Sequence, residues 1–316
     1  MRIAHINNIS GIASILAEYQ RTKRYPKSNV FVFNKIIHRQ FGGTMINYWS
    51  PLSVWKLLRN LRKNYDLWHY HYPYGSLKKR LEERKIGKVY VKHYHGDDIR
   101  GKRDEDSCLV STPDLLQYTP NGKWLPNPID FLEIDNNNIN ININTNINNN
   151  NIAPKNTAIE NQKNQTKIVA HYPYYKNHSP NDDFYFDTLN RLQKENKCKV
   201  LEILNHSHAK ALQMMSSADI VIGKIMPLVG WFGKFELEGM ALGKPVIAYV
   251  SDELYEKYKP PIYRTSKNTF KQDLENLLES ETEQTCLSSR GYTYVRKTHS
   301  MESISPVLDK YYSDNQ

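Results

Sequence analysis

Short apolar runs separated by amphipathic stretches set the plan of this chain. Ile3–Ile6, Val30–Phe33, Asp66–Tyr70 and Lys88–His93 read as strands. Between them Ile12, Ile15, Leu16 and Tyr19 follow helical spacing, with Ser10 as the expected N-cap, and further helices are expected near Val54–Arg62 and Leu77–Arg84. The second half restarts the alternation with strands at Lys167–His171 and Val200–Leu204 and helices at Phe184–Lys194 and Ala209–Ser216. Asp219–Ile222 and Pro245–Val250 are apolar runs of the kind buried on both faces of a parallel sheet. Helices are expected near Lys267–Glu279 and Gln284–Lys297, and a last one around Ser303–Tyr311 is expected to return to the first domain. Strand and helix in alternation predict an α/β protein with parallel sheets, whose ligands bind at the carboxyl ends of the strands.

The stretch from Asp219 to Val250 carries the most chemistry. Gly230 and Gly233 bracket Trp231 and Phe232, and a helix is expected to start near Gly233 and to stop at Gly243, just before Pro245. Glycines there let a ligand approach the backbone, and a helix start offers unpaired N–H groups to an anion. The backbone through Phe235 can supply such N–H groups, and Lys224 and Lys234 add positive charge. Glu238 lies one turn into the helix, placed to hold two neighbouring hydroxyls such as those of a ribose.

GWFGKFELEGMALGKPVI, within this segment, resembles the donor-binding signature of GT-B fold, family-4-type glycosyltransferases. HYHGDDIRGKR at His93–Arg103, followed by LVSTPDLLQY and WLPNPID, is similar to the end of the acceptor domain in the same families. The resemblance implies two Rossmann-like domains with a cleft between them: an acceptor domain over 1–131, an Asn-rich linker over 132–165 and a donor domain over 166–299. It also implies a retaining, metal-independent transfer of sugar from a nucleotide-diphosphate donor to a hydroxyl acceptor, with no cofactor. Glu238 would bind the ribose. His95 matches the histidine that faces the donor sugar, Asp97 would orient the acceptor hydroxyl or cap a helix, and Gly11 would line the acceptor side. Two departures stand out. The family's earlier glutamate falls on Gly230, and its Arg/Lys diphosphate clamp is reduced to Lys176 in HYPYYKNHSPNDD. A degenerate GT-B protein that binds a sugar nucleotide without turnover is the alternative these departures motivate.

Charge adds a partner. Residues 1–131 hold 22 Lys+Arg against 11 Asp+Glu, while the remainder is nearly balanced at 21 against 22. The basic half suits an anionic membrane surface or anionic acceptor, in polysaccharide or glycolipid synthesis, or is a solvated face. No nucleic-acid motif accompanies the charge, so nucleic acid is not expected. No apolar run approaches the ~20 residues of a membrane span. Three scattered cysteines, Cys108, Cys198 and Cys286, suit a reducing cytoplasm, with peripheral attachment at the inner membrane face. Residues 136–151 contain 11 Asn in 16, a low-complexity tract.

A third reading comes from His69-Tyr-His71, His93-Tyr-His95 and His206-Ser-His208. On a strand, His-x-His points both rings to one face, and two such strand ends can assemble a metal site for hydrolysis. No acidic ligand set accompanies them, and no metal is expected.

Overall fold

The computed structural model describes residues 1–33, 41–47, 49–71, 88–136, 166–173 and 183–315. The helix expected at Leu77–Arg84, nearly all of the Asn-rich tract, and Lys176 lie outside them. By internal contacts the chain divides into two compact units, Met1–Ile129 with Thr298–Gln316, and Asp130–Lys297.

The first unit runs β1 (Ile3–Ile6), α1 (Ile12–Lys23), β2 (Ser28–Phe33), β3 (Thr44–Ile46), α2 (Pro51–Asn64), β4 (Leu67–His71), β5 (Val89–Tyr94), β6 (Cys108–Val110) and β7 (Gly122–Trp124). Its sheet is parallel throughout, in the order β3-β2-β1-β4-β5-β6-β7. The order reverses between β1 and β4, which opens a crevice at their carboxyl ends. Side chains alternate across each strand, so the two faces bury different sets. Ala4, Ile6, Phe31, Trp68 and Tyr70 pack under Val54, Leu57, Leu58 and Leu61 of α2. Ile3, Leu67, Val91 and Leu109 face the other way, against Ile12 and Leu16 of α1 and against Met301, Ile304 and Leu308 of the chain's last helix.

Ser10 does not cap α1. A 3-10 turn over Ile9–Gly11 comes first, with Ser10 at φ +50°, and Gly11 at φ +78° is the capping residue. Side-chain capping needs extended backbone, which neither residue has. A Cβ on Gly11 would stand 2.8 Å from Phe41, so glycine is required twice over, by backbone and by space.

The second unit runs β8 (Ile168–His171), α3 (Asp183–Lys194), β9 (Lys199–Glu202), α4 (His208–Ser216), β10 (Ile220–Ile222), α5 (Lys234–Ala241), β11 (Val246–Ala248), α6 (Asp252–Tyr258), β12 (Tyr263–Arg264), α7 (Phe270–Glu279) and α8 (Glu281–His299), after which α9 (Met301–Asp314) completes the chain. Its five strands are parallel in the order β12-β11-β10-β8-β9. Here the order reverses between β8 and β10, so the residues following β10 are the ones a ligand of this sheet meets. The core gathers Val169, Ile220, Ile222 and Ile247 with Tyr185, Phe270 and Leu274. No helix among the described residues is long and apolar enough to cross a membrane.

Candidate functional site

Directly after β10 come Gly223 and Lys224, and the loop from there feeds α5 through Gly233. Glu236 ties the loop to the helix: its carboxylate accepts from the backbone N–H of Lys224 at 2.7 Å and of Gly233 at 2.9 Å. It is fully buried, a capping group rather than a ligand contact. Gly223 lacks a side chain because Glu236 fills the space, with its Cγ 2.3 Å from where a Cβ would stand. Gly233 has extended backbone, and a Cβ there would meet Lys224 Nζ at 2.9 Å. The glycine thus makes room for an ammonium at the helix start, where the dipole also favours an anion.

Gly230 is a different case. At φ +72° it turns the loop, donating its N–H to Met226 O at 3.1 Å and accepting from Ser251 N at 3.0 Å. A glutamate at this position would be strained in the left-handed region, which is the backbone reason this chain lacks one. The aromatic pair between the glycines points inward. Trp231 and Phe232 stack at 4.4 Å and are 3% and 2% exposed. Phe235 instead meets Tyr172, with ring centroids 6.2 Å apart.

Glu238 is 8% exposed and faces two cations. His208 Nε2, at the start of α4, lies 2.7 Å from its Oε1, and Lys234 Nζ lies 3.4 Å from the same atom. The other ring nitrogen of His208 lies 3.2 Å from Glu133 Oε1. Burial opposes charge on His208, but the hydrogen bonds to Glu133 and Glu238 outweigh it and raise the imidazole to about 9. Burial also pushes Glu238 up, and Lys234 and His208 pull it further down, so the carboxylate is ionised. Two of its roughly four acceptor positions are taken, and it can still accept from a pair of hydroxyls.

In the first unit, His95 opens a tight loop after β5. The Asp98 carboxylate accepts from His95 N at 3.0 Å and from Gly96 N at 2.7 Å. Capping therefore falls to Asp98, while Asp97 is exposed and pairs with Arg100 at 3.4 Å. Arg100 in turn donates to the buried Asp114 at 2.7 Å, which holds the loop to the following turn. Burial lowers His95 to about 3, so the ring is a neutral imidazole.

The His-x-His pairs of β4 and of β5 with its loop converge, and His5 of β1 joins them. His5 sits opposite His69, and His71 opposite His93, in adjacent parallel strands. Nitrogens of His5, His69 and His71, and of His71, His93 and His95, lie within 4.8 Å of one another, the two groups among the described residues that can hold a metal ion. Their closest pairs are at hydrogen-bond spacing: 3.1 Å for His5–His71 and His69–His93, and 3.0 Å for His71–His95. His206-Ser-His208 belongs to the second unit, where His206 is exposed and His208 serves the carboxylates.

No family model matches the sequence, and no curated protein does. Solved structures do match over nearly the whole chain. HepE from Anabaena in complex with UDP-glucose is 14% identical with a TM-score of 0.62, covering 99% of this chain and 100% of that one. An α-glucosyltransferase in complex with UDP and a 13-mer DNA is 9% identical with a TM-score of 0.63, covering 99% of each chain. UDP-GlcNAc 2-epimerase from Neisseria meningitidis bound to UDP-GlcNAc is 12% identical with a TM-score of 0.58, covering 100% of both. This chain has a GT-B fold. The likeness is one of architecture, two Rossmann-like units with parallel sheets, shared by glycosyltransferases and by UDP-GlcNAc 2-epimerases.

Within that fold the structure brings Glu238, Lys234, Lys224 and Gly233 to one corner of the second unit, and Phe235 to its rim. Sequence reasoning missed Glu133 and gave His208 to a metal motif. Neither has a local signal, because they lie 105 and 30 positions from Glu238 and only packing joins them.

Proposed function

We propose that this chain is a family-4-type glycosyltransferase that binds a uridine-diphosphate sugar through its second unit and moves the sugar to a hydroxyl acceptor. The observation that carries this reading is Glu238, a buried, ionised carboxylate one turn into α5, clamped by His208 and Lys234 beside a helix start that also holds Lys224. Glu238 takes the ribose hydroxyls. Lys224, Lys234, the Gly230–Phe235 backbone and Lys176 receive the diphosphate, whose β-phosphate gains a further negative charge as the bond to the sugar breaks, the step that positive charge accelerates. His95, neutral at physiological pH, accepts a hydrogen bond from a sugar hydroxyl and is poorly suited to take a proton outright. Asp97 and Gly11 belong to the acceptor side.

The configuration is retained and no metal is required. The matched structures that hold UDP or a UDP-sugar support the choice of base. The acceptor is lipid-linked, met at the inner face of an anionic membrane. Support for this comes from α2, where exposed Leu52 and Trp55, with Trp49 before it, stand beside Lys56, Arg59 and Lys63.

A second reading, epimerisation of a UDP-sugar, is favoured by the full-length match to the Neisseria enzyme. One experiment separates them. The protein is incubated with UDP-glucose or UDP-GlcNAc, chelator and a panel of hydroxyl acceptors, and products are resolved by mass and by chromatography. UDP release with sugar on an acceptor supports transfer. A sugar inverted at one carbon while still joined to UDP supports epimerisation. Binding without either product identifies a non-catalytic sugar-nucleotide binder, and no binding removes the proposal.

A further inference from the structure

Five histidines, one glutamine and one tyrosine of the first unit are joined end to end by hydrogen bonds. From Gln20 on α1 one arm runs through His5 Nε2 (2.9 Å from Gln20 Oε1), His5 Nδ1 to His71 Nε2 (3.1 Å), and His71 Nδ1 to His95 Nε2 (3.0 Å). The other arm leaves the amide nitrogen of Gln20, which donates to Tyr312 OH on α9 at 3.4 Å, and continues to His69 Nδ1 (2.7 Å) and from His69 Nε2 to His93 Nδ1 (3.1 Å). His5, His69, His71, His93 and Tyr312 are at most 1% exposed, so none of these five rings trades its partner for bulk water. The outer atoms, His95 Nδ1 and His93 Nε2, are buried and have no hydrogen-bond partner among the described residues.

A neutral imidazole carries one N–H and one lone pair, so a chain of them has a direction, and one end dictates the other. Gln20 Oε1 can only accept. It accepts from the Ser28 hydroxyl at 2.7 Å as well as from His5. His5 must therefore carry its hydrogen on Nε2, which leaves Nδ1 to accept from His71 Nε2–H, and His71 Nδ1 to accept from His95 Nε2–H. His95 Nδ1 ends as a bare lone pair. In the second arm Tyr312 accepts from Gln20, so its own hydrogen goes to His69 Nδ1. His69 Nε2–H then donates to His93 Nδ1, and His93 ends as Nε2–H. Turning the Gln20 amide over would reverse both arms at once and exchange the lone pair at His95 for an N–H. Burial holds all five rings below their ordinary pKa, with repulsion from neighbouring histidines adding to it at His69, His71 and His93, so the chain passes on orientation and not charge.

We propose that Gln20 and Tyr312 are positioning residues that fix, through this relay, the tautomer of His95, so that His95 presents a hydrogen-bond acceptor. In either orientation one end of the chain is a donor and the other an acceptor, the complement of a hydroxyl group. The relevance to turnover rests on the transfer reading above; the tautomers themselves do not.

The test is nitrogen NMR of the whole protein with labelled histidine, which distinguishes bare from protonated ring nitrogens. The expected result at pH 7 is a single Nε2–H tautomer for His5, His69, His71, His93 and His95. In Gln20→Met, which keeps the volume and removes the oxygen, His95 should acquire the Nδ1–H form although the substitution lies three rings away. In Tyr312→Phe, His69 and His93 should lose their single tautomer. If transfer activity is found, Gln20→Met should lower kcat about tenfold with donor KM unchanged. Nδ1–H at His95 in the unaltered protein overturns the proposal, even if neither variant folds. So does an unchanged His95 in a folded Gln20→Met, or zinc retained at one equivalent through dialysis against chelator.

Discussion

Glu238 and His208 hold each other charged, and the consequences of removing either follow from what remains. Without Glu238 a donor loses hydrogen bonds to an ionised group, worth roughly 1.5–3 kcal/mol each, so Glu238→Ala should raise the donor dissociation constant about 10- to 100-fold by calorimetry. An unchanged constant would take Glu238 out of the site. His208 has a folded pKa of about 9, above its ordinary 6.5. Its contribution to stability is therefore complete below about pH 6.5 and disappears as pH rises through about 9. Melting curves between pH 6 and 10 should show the unaltered protein losing more stability than His208→Gln; parallel curves would contradict the pairing. The sequence offered Glu238 because its helix start and glycines are local features. It could not offer Glu133, whose position beside His208 depends on where a separate segment packs.

At the level of elements, long amphipathic stretches were legible, and so were the apolar runs that hold the three-residue β10 and β11, whereas short strands without such a run were not. Val54, Leu57, Leu58 and Leu61 mark α2 by period alone, and all four are buried. β6, β7 and β12 span three, three and two residues, too few to show any alternation, and exist because neighbouring strands supply their hydrogen bonds. The end of α5 was readable because its chemistry is local: Gly243 at φ +70° donates to Met240 O, and Lys244 N to Gly239 O, the six-residue closure of a Schellman motif. Apart from its chain neighbours, no atom of the described residues lies within 4 Å of a Cβ built on Gly243, so Gly243→Ala carries only the left-handed backbone penalty. It should cost about 1 kcal/mol in urea unfolding. A loss several times larger would mean the loop itself had moved. The outer face of α2 makes a separate prediction. Replacing Leu52 and Trp55 by Ser should weaken binding to anionic vesicles, and the binding should decline as salt rises. Binding indifferent to both would leave this helix a solvated surface.

For the whole molecule, the buried histidines set the acid limit. His5 and His299 are lowered to about 4 and His95 to about 3, chiefly by burial, and His69, His71 and His93 also lie well below 6.5. For a histidine with a depressed folded pKa the unfolded chain binds the proton, so stability is complete above about pH 6.5 and falls as pH drops toward the folded values. Six protons taken up together on unfolding give a slope approaching about 8 kcal/mol per pH unit, far steeper than one paired group would. Melting temperature should collapse between pH 6 and 4.5, and a shallow decline there would mean the rings are accessible to protons in the folded state. Alternation of strand and helix was enough to determine an α/β protein with parallel sheets, because burial periodicity and helix-ending chemistry act over a few neighbouring residues, and the GT-B arrangement was expected from the resemblance of GWFGKFELEGMALGKPVI to a donor-binding signature. The strand order, the seven-membered relay from Gln20 to His95 and His93, and the clamp of His208 between two carboxylates were decided only in the tertiary structure. Each needs groups tens to hundreds of residues apart in the chain to meet within 3 Å or so, and no local pattern specifies which distant partners they meet.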